Sequence, residues 1–510
     1  MNWNVFKQKL LSEQIYITCF SLLYLTFPFG ASSFSYDIGP LVIYPYLILL
    51  ISTLSISFFH KKNKISKFEK YILVFFVLFI LHSLVYLFFL KDKSQAKIDI
   101  RSVILFSITA YTFIVSFKII EKEKLYERIN KITIFFIVLF SVIGYLEYFT
   151  GIHIAGKFTD KLKILEIVGP VFYSPVYFFD NPNNFCLYII LFSLIYLLLN
   201  INKNNKISQL FVIVQILIFS ILSYSRFGTI IFFVLIIYWI SINLKTLYDR
   251  KNFYYLLILI ILAIFPFVKY DIYMGKIFAP TNERFKKALN FKVFLRTNND
   301  KVEIQKDTIE IKVDTIEIKI DTIVKNEDSI PEKVAITESP QILDEKKEEA
   351  IEIANNIEQK KEELIVTQDS TSENQRKQLF FNGIEIYKNN CVFGAGPGQF
   401  RQLHAEKKVK WKTISPLGPH NWIIELLSQF GILFYYYISI FAFMTFYALK
   451  FIRKNIIKNS FFILTMFVFF IASNMPSGFL ILDINWVFTS LLFIFFINEI
   501  YQGEVIITKK

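Results

Sequence analysis

Long apolar runs separated by short lysine-rich breaks form the main pattern of the sequence. Most runs hold roughly 17 to 25 residues, enough for a helix to cross about 30 Å of hydrocarbon. The predicted fold class is an all-α polytopic membrane protein, with about twelve transmembrane helices and a large loop between spans 9 and 10. The predicted spans are residues 15–28, 40–59, 71–90, 102–118, 132–149, 184–200, 207–224, 227–243, 253–269, 426–449, 460–474 and 479–497. No small-residue cleavage site follows the first run, so we expect an uncleaved membrane helix there.

Lysine and arginine are concentrated in the loops on one side of these spans. Loops of this kind usually face the cytoplasm. The basic loops are 61–70, 118–131, 245–251 and 450–458, whereas the loops around 29–39, 150–183 and 475–478 carry few cations. The alternation of spans therefore places both termini inside and segment 270–417 outside. It also places the basic loop 91–101 outside, against the general pattern.

The predicted domain organisation follows from this alternation. Residues 1–269 hold spans 1–9, 270–417 form the outer loop, 418–500 hold a His-Asn helix and spans 10–12, and 501–510 form a cytoplasmic tail. Within the loop, residues 300–373 contain 21 Asp or Glu against 10 Lys or Arg, with tandem DTIEIKV-type repeats. This composition predicts an acidic low-complexity insertion and leaves a role in binding a partner open. We expect the core chemistry to survive its removal.

Composition excludes several classes of function. With 54% hydrophobic residues and a mean hydropathy of +0.46, the chain has too much apolar surface for a soluble domain. The net charge of +14 is spread over separate short loops and does not form the aromatic-lined basic groove that binds nucleic acid. Cys19 and Cys186 lie in predicted spans and Cys391 in the outer loop, which gives neither a metal-binding spacing nor a plausible set of disulfides.

The first of four polar motifs at the outer ends of the spans is DNPNNFC, at residues 180–186. Asp180 or Asn181 can cap the sixth span, and Pro182 suits the first helical turn. Capping alone would account for the motif, and a substrate contact through Asn181 or Asn183 is the functional alternative.

The second motif is SYSRFGT, at residues 223–229, in a short turn between two long apolar runs. An arginine at that position is costly unless it reaches the interface or binds an anion. Arg226 is the one cation between the ends of these runs, so it adds nothing to the orientation signal. The sequence leaves both interpretations of Arg226 open.

The third motif begins with a helical pattern at Arg376 and ends in GAGPGQF, at residues 394–400. Successive backbone N–H groups in such a glycine-rich turn can hold an anion. The motif lacks the Lys-Ser/Thr of a nucleotide-binding loop, and a plain turn is the alternative interpretation.

The fourth motif is HNWIIELLSQFG, at residues 420–431. His420 and Asn421 are predicted to be the first residues of a helix, whose positive N-terminal end would disfavour imidazolium. A neutral imidazole can accept a proton, and the alternative is a polar group that caps the helix at the interface.

In this order the four motifs resemble the O-antigen ligase and polymerase superfamily of bacterial envelope glycosyltransferases. The resemblance covers residues 180 to 500, and before that only the hydrophobic layout fits. The acidic insertion and the short segment after GAGPGQF depart from the family pattern on the acceptor side. The resemblance implies a multi-pass protein of the bacterial inner (cytoplasmic) membrane with a large periplasmic loop and an active site that faces the periplasm.

The superfamily transfers a glycan from an undecaprenyl-pyrophosphate donor to an acceptor hydroxyl, such as that of lipid A-core, without a metal or cofactor. By resemblance, Arg226 and Arg376 hold the pyrophosphate and His420 activates the acceptor. Guanidinium groups suit pyrophosphate oxygens, and a neutral imidazole suits a general base, so an inverting single displacement is the simplest mechanism. The candidate substrate-binding residues are Asn181, Asn183, Ser225, Gly394, Gly396, Gly398, Gln399, Arg401 and Asn421.

Three alternatives remain open at this point. Within the superfamily, a polymerase or a protein O-oligosaccharyltransferase would use the same donor and another acceptor. A transporter without covalent chemistry would carry ionisable residues near the bilayer midplane. The predicted spans hold few such residues, which favours an enzyme.

Overall fold

The computed structural model describes residues 13–29, 36–38, 41–43, 45–59, 66–89, 94–150, 181–203, 205–223, 225–247, 372–411, 418–476 and 478–501. All of these residues belong to one compact unit. Its helices are α1 (Glu13–Thr26), α2 (Pro45–Phe59), α3 (Lys67–Phe89), α4 (Ser94–Ser116), α5 (Lys122–Thr150), α6 (Pro182–Asn200), α7 (Lys206–Leu222), α8 (Arg226–Leu247), α9 (Ser372–Asn389), α10 (Gln399–Ala405), α11 (Trp422–Phe430), α12 (Ile432–Lys450), α13 (Ile456–Ala472) and α14 (Asp483–Phe495). A π-helical stretch, Phe496–Tyr501, extends α14, and 3₁₀ turns occupy Phe27–Phe29 and Ile452–Lys454.

The predicted all-α class is confirmed. The described strands are β1 (Tyr36–Ile38) and β2 (Leu41–Ile43), which form one small antiparallel hairpin. Every predicted span except the ninth overlaps a helix, and the ninth, 253–269, lies outside the described residues. Among the described residues, seven helices are long and apolar enough to cross a membrane, namely α3, α4, α5, α6, α8, α12 and α14. The full count of twelve spans stays a prediction.

Asparagine side chains fix the starts of several helices. Asn181 caps α6 by accepting a hydrogen bond from the Asn183 N–H at 2.8 Å, and Pro182 occupies the first turn, as the motif predicted. Asn205 and Asn455 cap α7 and α13 in the same way. Each such cap contributes about 1 kcal/mol of helix stability. The caps therefore help to fix the residue at which each of these apolar helices begins.

The predicted start of span 10 is wrong. Gly431 has φ +52 and ψ −119, which ends α11 at Phe430 and lets α12 begin at Ile432. A Cβ atom at Gly431 would lie 2.4 Å from the Val392 carbonyl oxygen, so the break depends on glycine. Because of this break, α11 is a short amphipathic helix in its own right and not the first turns of the span that follows it.

Helix α14 lies in the middle of the core. It packs against α4 and α6, and all of its residues are buried. Hydroxyl pairs satisfy polar groups between helices: Tyr24–Thr133 joins α1 to α5 at 2.9 Å, and Tyr437–Thr489 joins α12 to α14 at 3.1 Å. A hydrocarbon environment offers no water to such groups, so these internal pairs fix the helix positions.

Lysines of the basic loops meet acidic residues at one end of the bundle. Lys118 pairs with Glu69, and Lys122 and Lys458 both pair with Glu499. Three of the four loops that the alternation placed on the cytoplasmic side contribute to this cluster. Their convergence agrees with the predicted alternation of the spans.

The opposite end of the bundle carries the segment after α9. His82 Nε2 contacts the Phe393 carbonyl oxygen at 2.7 Å, and Arg401 pairs with Asp99 at 3.0 Å. Asp99 belongs to the basic loop 91–101, which the alternation placed on the same side as segment 270–417. The structure brings the two together, despite the positive charge of that loop.

Candidate active site

His420 lies immediately before α11 and not within its first turn. Asn421 has extended backbone angles, and its side chain accepts a hydrogen bond from the Ile424 N–H at 3.1 Å, so Asn421 is the N-cap. His420 precedes the cap with φ +50, in the left-handed region. The prediction that His420 begins the helix is therefore wrong, because the asparagine amide takes the capping role.

The electrostatic surroundings keep the His420 imidazole neutral. Burial of the ring, together with the nearby positive charge of Arg376, lowers the pKa of His420 to about 4, although a hydrogen bond with the Pro476 carbonyl opposes both effects. The neutral state that the sequence predicted thus has burial as its main cause, and not the helix dipole.

The two ring nitrogens of His420 have different environments. Nδ1 is enclosed and has no hydrogen-bond partner among the described residues. The nitrogen that donates to the Pro476 carbonyl is therefore Nε2. In this tautomer Nδ1 keeps its lone pair, which can accept a proton from a bound molecule that reaches this enclosed nitrogen.

Arg376 reaches His420 from a second helix. It lies near the start of α9, which packs against α11 so closely that a Cβ at Gly383 would lie 2.1 Å from Ile424 Cγ2. The Arg376 side chain is exposed to solvent, and its charge lowers the pKa of His420. The third and fourth motifs therefore place a guanidinium within electrostatic range of the imidazole.

Arg226 lies at the same end of the bundle, at the first position of α8, and its side chain is exposed. A Cβ at Gly228 would lie 3.2 Å from Cys186 Sγ, so the start of α8 lies against the first turns of α6. Two residues further along α6, the Tyr188 hydroxyl donates to Asp483 at the start of α14. The segment just before α14 is bound by Glu425 of α11, so Arg226 and His420 lie at the same end of the bundle.

The three other candidate residues of the early motifs have mainly structural positions. Ser225 is buried, and its hydroxyl accepts a hydrogen bond from the Gly228 N–H at 3.2 Å. Asn181 accepts its capping bond from the Asn183 N–H, and Asn183 is partly buried in the first turn of α6. Cys186 Sγ contacts Ser220 Oγ at 3.8 Å, which places these two motifs next to each other.

Of the two interpretations of GAGPGQF, the structure favours the plain turn over an anion-binding concavity, because other acceptors already occupy its amides. Ala395 N–H donates to the Ser428 carbonyl at 2.8 Å, and Gly396 N–H donates to the Gln429 carbonyl at 3.0 Å. Gly398 N–H donates to Gln429 Oε1. The turn therefore closes the C-terminal end of α11, whose last carbonyls would otherwise lack partners.

Gln399 and Arg401, also predicted to bind substrate, belong to α10. The Gln399 N–H donates to the Gly396 carbonyl at 3.2 Å, and the Arg401 guanidinium pairs with Asp99. The Arg401 side chain remains 30% exposed. These contacts tie α10 to α4, and they give the region after GAGPGQF a scaffolding position at the edge of the site.

Replacing Gly394 by alanine is expected to destabilise this end of the protein. Gly394 has φ +72, and an added Cβ would lie 2.3 to 2.5 Å from backbone atoms of Gln429 and Phe430. Strain in the left-handed region and overpacking each cost about 1 to 3 kcal/mol, so the melting temperature in detergent should fall clearly. Cys391→Ala, at an exposed neighbouring residue, is the matched control. Equal melting temperatures for the two variants would contradict the contact.

Glu425 is a buried acid that the motif analysis did not assign to the site. Its Oε2 accepts from the Phe479 N–H at 2.6 Å, and its Oε1 accepts from the Leu480 N–H at 3.3 Å. Burial raises the pKa of Glu425 to about 7, although these two amides lower it. A charged residue among the apolar positions of an amphipathic helix was the available signal, but its partners lie more than fifty residues away.

His404 and Asn382 were also missed by the motifs. Asn382 Nδ2 contacts His404 Nε2 at 2.9 Å and donates to the Trp411 carbonyl at 2.7 Å, so α9 is held to the segment after α10. Within the described ranges, no group of three or more His, Cys, Asp or Glu could hold a metal ion. The site is thus organised around His420 and Arg376.

Comparison with known proteins agrees with the motifs. Residues 211–438 match the family model described as O-antigen ligase. The chain is also similar to the teichuronic acid biosynthesis protein TuaE of Bacillus subtilis (strain 168), at 28% identity over 123 residues. That match covers 23% of this chain and 25% of the relative, so the chain aligns with only a quarter of the curated relative's length. Residues 211–438, which carry Arg226, Arg376 and His420, thereby confirm the predicted resemblance to the O-antigen ligase superfamily.

Proposed function

We propose that this multi-pass membrane protein transfers a glycan from undecaprenyl pyrophosphate to an acceptor hydroxyl, with lipid A-core as the acceptor. The family match supports a ligase-like or polymerase-like membrane glycosyltransferase that uses a lipid-linked polysaccharide. The observation that carries the finer proposal is the neutral imidazole of His420, whose Nδ1 has no hydrogen-bond partner among the described residues, within electrostatic range of the Arg376 guanidinium.

In the proposed reaction, the acceptor hydroxyl gives its proton to His420 Nδ1 while its oxygen bonds to the anomeric carbon of the donor sugar. The bond between that carbon and the pyrophosphate oxygen breaks, and the polyprenyl pyrophosphate leaves with the electron pair. Attack opposite the leaving group inverts the anomeric centre. Arg376, helped by Arg226 at the same end of the bundle, stabilises the negative charge that grows on the leaving group.

The low pKa of His420 fits this sequence of events. An imidazole with a pKa of about 4 is a weak base in the free protein. A bound pyrophosphate would offset the charge of Arg376 and so raise the pKa of His420. The base therefore becomes stronger when the donor arrives, which limits unproductive protonation beforehand.

The proposed location of the site is the periplasmic face of the bacterial inner membrane. The lysine-rich loops meet at the end of the bundle opposite His420. If those loops face the cytoplasm, His420, Arg376 and Arg226 face the periplasm. The proposed domains follow the same division, with segment 270–417 as the periplasmic loop.

A polymerase is the second candidate. The relative from Bacillus subtilis is named for teichuronic acid biosynthesis and not for O antigen. A polymerase would use the same donor side and present another lipid-linked glycan as the acceptor. The chemistry at His420 would be unchanged.

Deleting the gene and comparing the glycoconjugates of the host distinguishes these functions. Loss of long glycan from lipid A-core, with accumulation of full-length lipid-linked glycan, supports the ligase. Accumulation of single repeat units points to the polymerase, and loss from proteins alone points to a protein glycosyltransferase. Complementation with a version that lacks 300–373, a segment outside the described residues, is expected to restore transfer. Unchanged glycans would overturn the enzymatic proposal and favour a transporter.

A further inference from the structure

The segment that joins α13 to α14 is bound to the start of α11 at two places. One is the Glu425 carboxylate, which accepts the N–H groups of Phe479 and Leu480. The other is His420, which donates to the Pro476 carbonyl. His420 and Glu425 thus hold the same segment from two positions five residues apart along the chain.

Glu425 is well placed to fix this segment. Its side chain is buried with only 5% exposure, and both carboxylate oxygens accept a backbone amide. The two amides lie three and four residues after Pro476. The bond from the Phe479 N–H is short, at 2.6 Å, and charge-assisted bonds of this kind are strong, so Glu425 restrains the segment that carries the Pro476 carbonyl.

The position of the Pro476 carbonyl decides which nitrogen of His420 carries the proton. A carbonyl oxygen accepts only from an N–H, so contact with Nε2 keeps Nδ1 unprotonated. His420 also has φ +50, a conformation that a non-glycine residue keeps only when its surroundings hold it. The hydrogen bond to Pro476 is one such restraint.

We propose that Glu425 is a positioning residue for His420. By accepting hydrogen bonds from the Phe479 and Leu480 amides, Glu425 keeps the Pro476 carbonyl at the position where this carbonyl selects the Nε2–H tautomer of His420. The inference rests on the proposed role of His420 as the general base. Glu425 itself does not touch the substrate. Its effect on the reaction passes through the orientation and tautomer of the imidazole.

Three charged groups act on His420 and Glu425 from neighbouring helices. Arg376 on α9 acts on His420, and Asp99 on α4 and Arg401 on α10 act on Glu425. None of the three replaces the carboxylate as an acceptor for the two amides. Removing the carboxylate therefore leaves the segment between α13 and α14 without this hydrogen-bonded restraint. We expect water to reach the imidazole as a result.

Nitrogen NMR of the protein labelled with ¹⁵N-histidine tests the inference without using activity. The chain has five histidines, and the His420→Ala variant identifies the signal. We expect one tautomer, protonated at Nε2, in the wild type, and a mixture of both tautomers in Glu425→Gln. A single unchanged tautomer in Glu425→Gln would overturn the proposal, whatever the activity proves to be.

Transfer kinetics provide the second readout. Glu425→Gln is expected to lower kcat about tenfold, leave the donor KM within about twofold, and move the acid limb of the pH profile upward as water reaches the imidazole. In a His420→Ala background the same change should cause no further loss. Full additivity of the two substitutions would overturn the proposal. An active His420→Ala protein would instead refute the proposed function, while the NMR result would still decide the positioning role.

Two further variants separate positioning from general stability. Asn455→Ala removes the cap of α13 at the opposite end of the bundle and should lower stability without changing the pH profile. If Glu425→Gln does not accumulate, Glu425→Asp keeps the charge on a shorter side chain that cannot reach both amides. It should show the same tautomer mixture to a smaller extent, and a wild-type spectrum would contradict the proposal.

Discussion

Alanine in place of His420 is expected to lower the rate of glycan transfer by about 10² to 10⁴-fold, the usual contribution of a general base. The imidazole offers the unpaired Nδ1 lone pair, close enough to Arg376 to feel its charge, and alanine offers no acceptor at that position. The measurement is the transfer rate from lipid-linked donor, in membranes that contain equal amounts of the two proteins. The loss should appear mainly in kcat, because a base acts on the acceptor proton in the transition state.

His404→Gln is the matched control for this substitution. His404 is also a buried histidine, but its Nδ1 contacts the Phe400 carbonyl at 2.8 Å and its Nε2 contacts Asn382. Both nitrogens are already engaged, so its replacement should affect stability more than the rate per folded molecule. Equal losses for His404→Gln and His420→Ala, or a fully active His420→Ala protein, would contradict the assignment of the base.

The pH dependence of stability should reveal the same buried imidazole. The pKa of His420 is lowered from 6.5 to about 4, so the folded state loses stability as the pH falls through this range, by up to about 3 kcal/mol. Glu425 acts in the opposite sense. Its pKa is raised from 4.5 to about 7, so stability is lost as the pH rises through that range. The two trends partly cancel in the wild type, and His420→Ala should expose the Glu425 trend.

The membrane-spanning layout could be predicted because hydropathy depends on local composition. Long apolar runs and lysine-rich breaks mark the spans, and Asn181 marks the start of α6 with its own side chain. The break at Gly431 was missed because nothing in the local sequence distinguishes a glycine inside a span from a glycine that separates two helices. Its close approach to Val392 comes from a distant segment.

The candidate site shows the same division between local and distant causes. His420 and Arg376 could be chosen from their motifs, and the structure brings them together through the packing of α9 on α11. The amides of GAGPGQF suggested an anion site because the sequence does not show that the last carbonyls of α11 take donors from this turn. The motif analysis missed Glu425 because its partners are backbone N–H groups, which every residue except proline carries and which therefore leave no mark in the sequence.

Arg376→Ala is expected to lower kcat/KM for the lipid-linked donor by about 10 to 100-fold, because a charge-assisted hydrogen bond contributes roughly 1.5 to 3 kcal/mol. The guanidinium also lowers the pKa of His420, so its removal should move the acid limb of the pH profile upward. Arg376→Lys keeps the charge and loses the paired donors, and should recover only part of the activity. Steady-state transfer rates across donor concentration and pH measure both effects.

Lys377→Ala is the matched control, because Lys377 is the exposed neighbour of Arg376 on the same helix. Loss of a general positive charge near the membrane would weaken both variants equally, whereas loss of a pyrophosphate contact weakens Arg376→Ala alone.

Arg226→Ala should raise the donor KM as well, and the double variant tests whether both guanidiniums bind one group. If they do, each substitution lowers the transfer rate less in the double variant than it does in the wild-type background. The reason is that one arginine alone can no longer hold the pyrophosphate in its productive position. Independent, fully additive losses would place Arg226 at a separate anion and leave Arg376 as the sole cation beside His420.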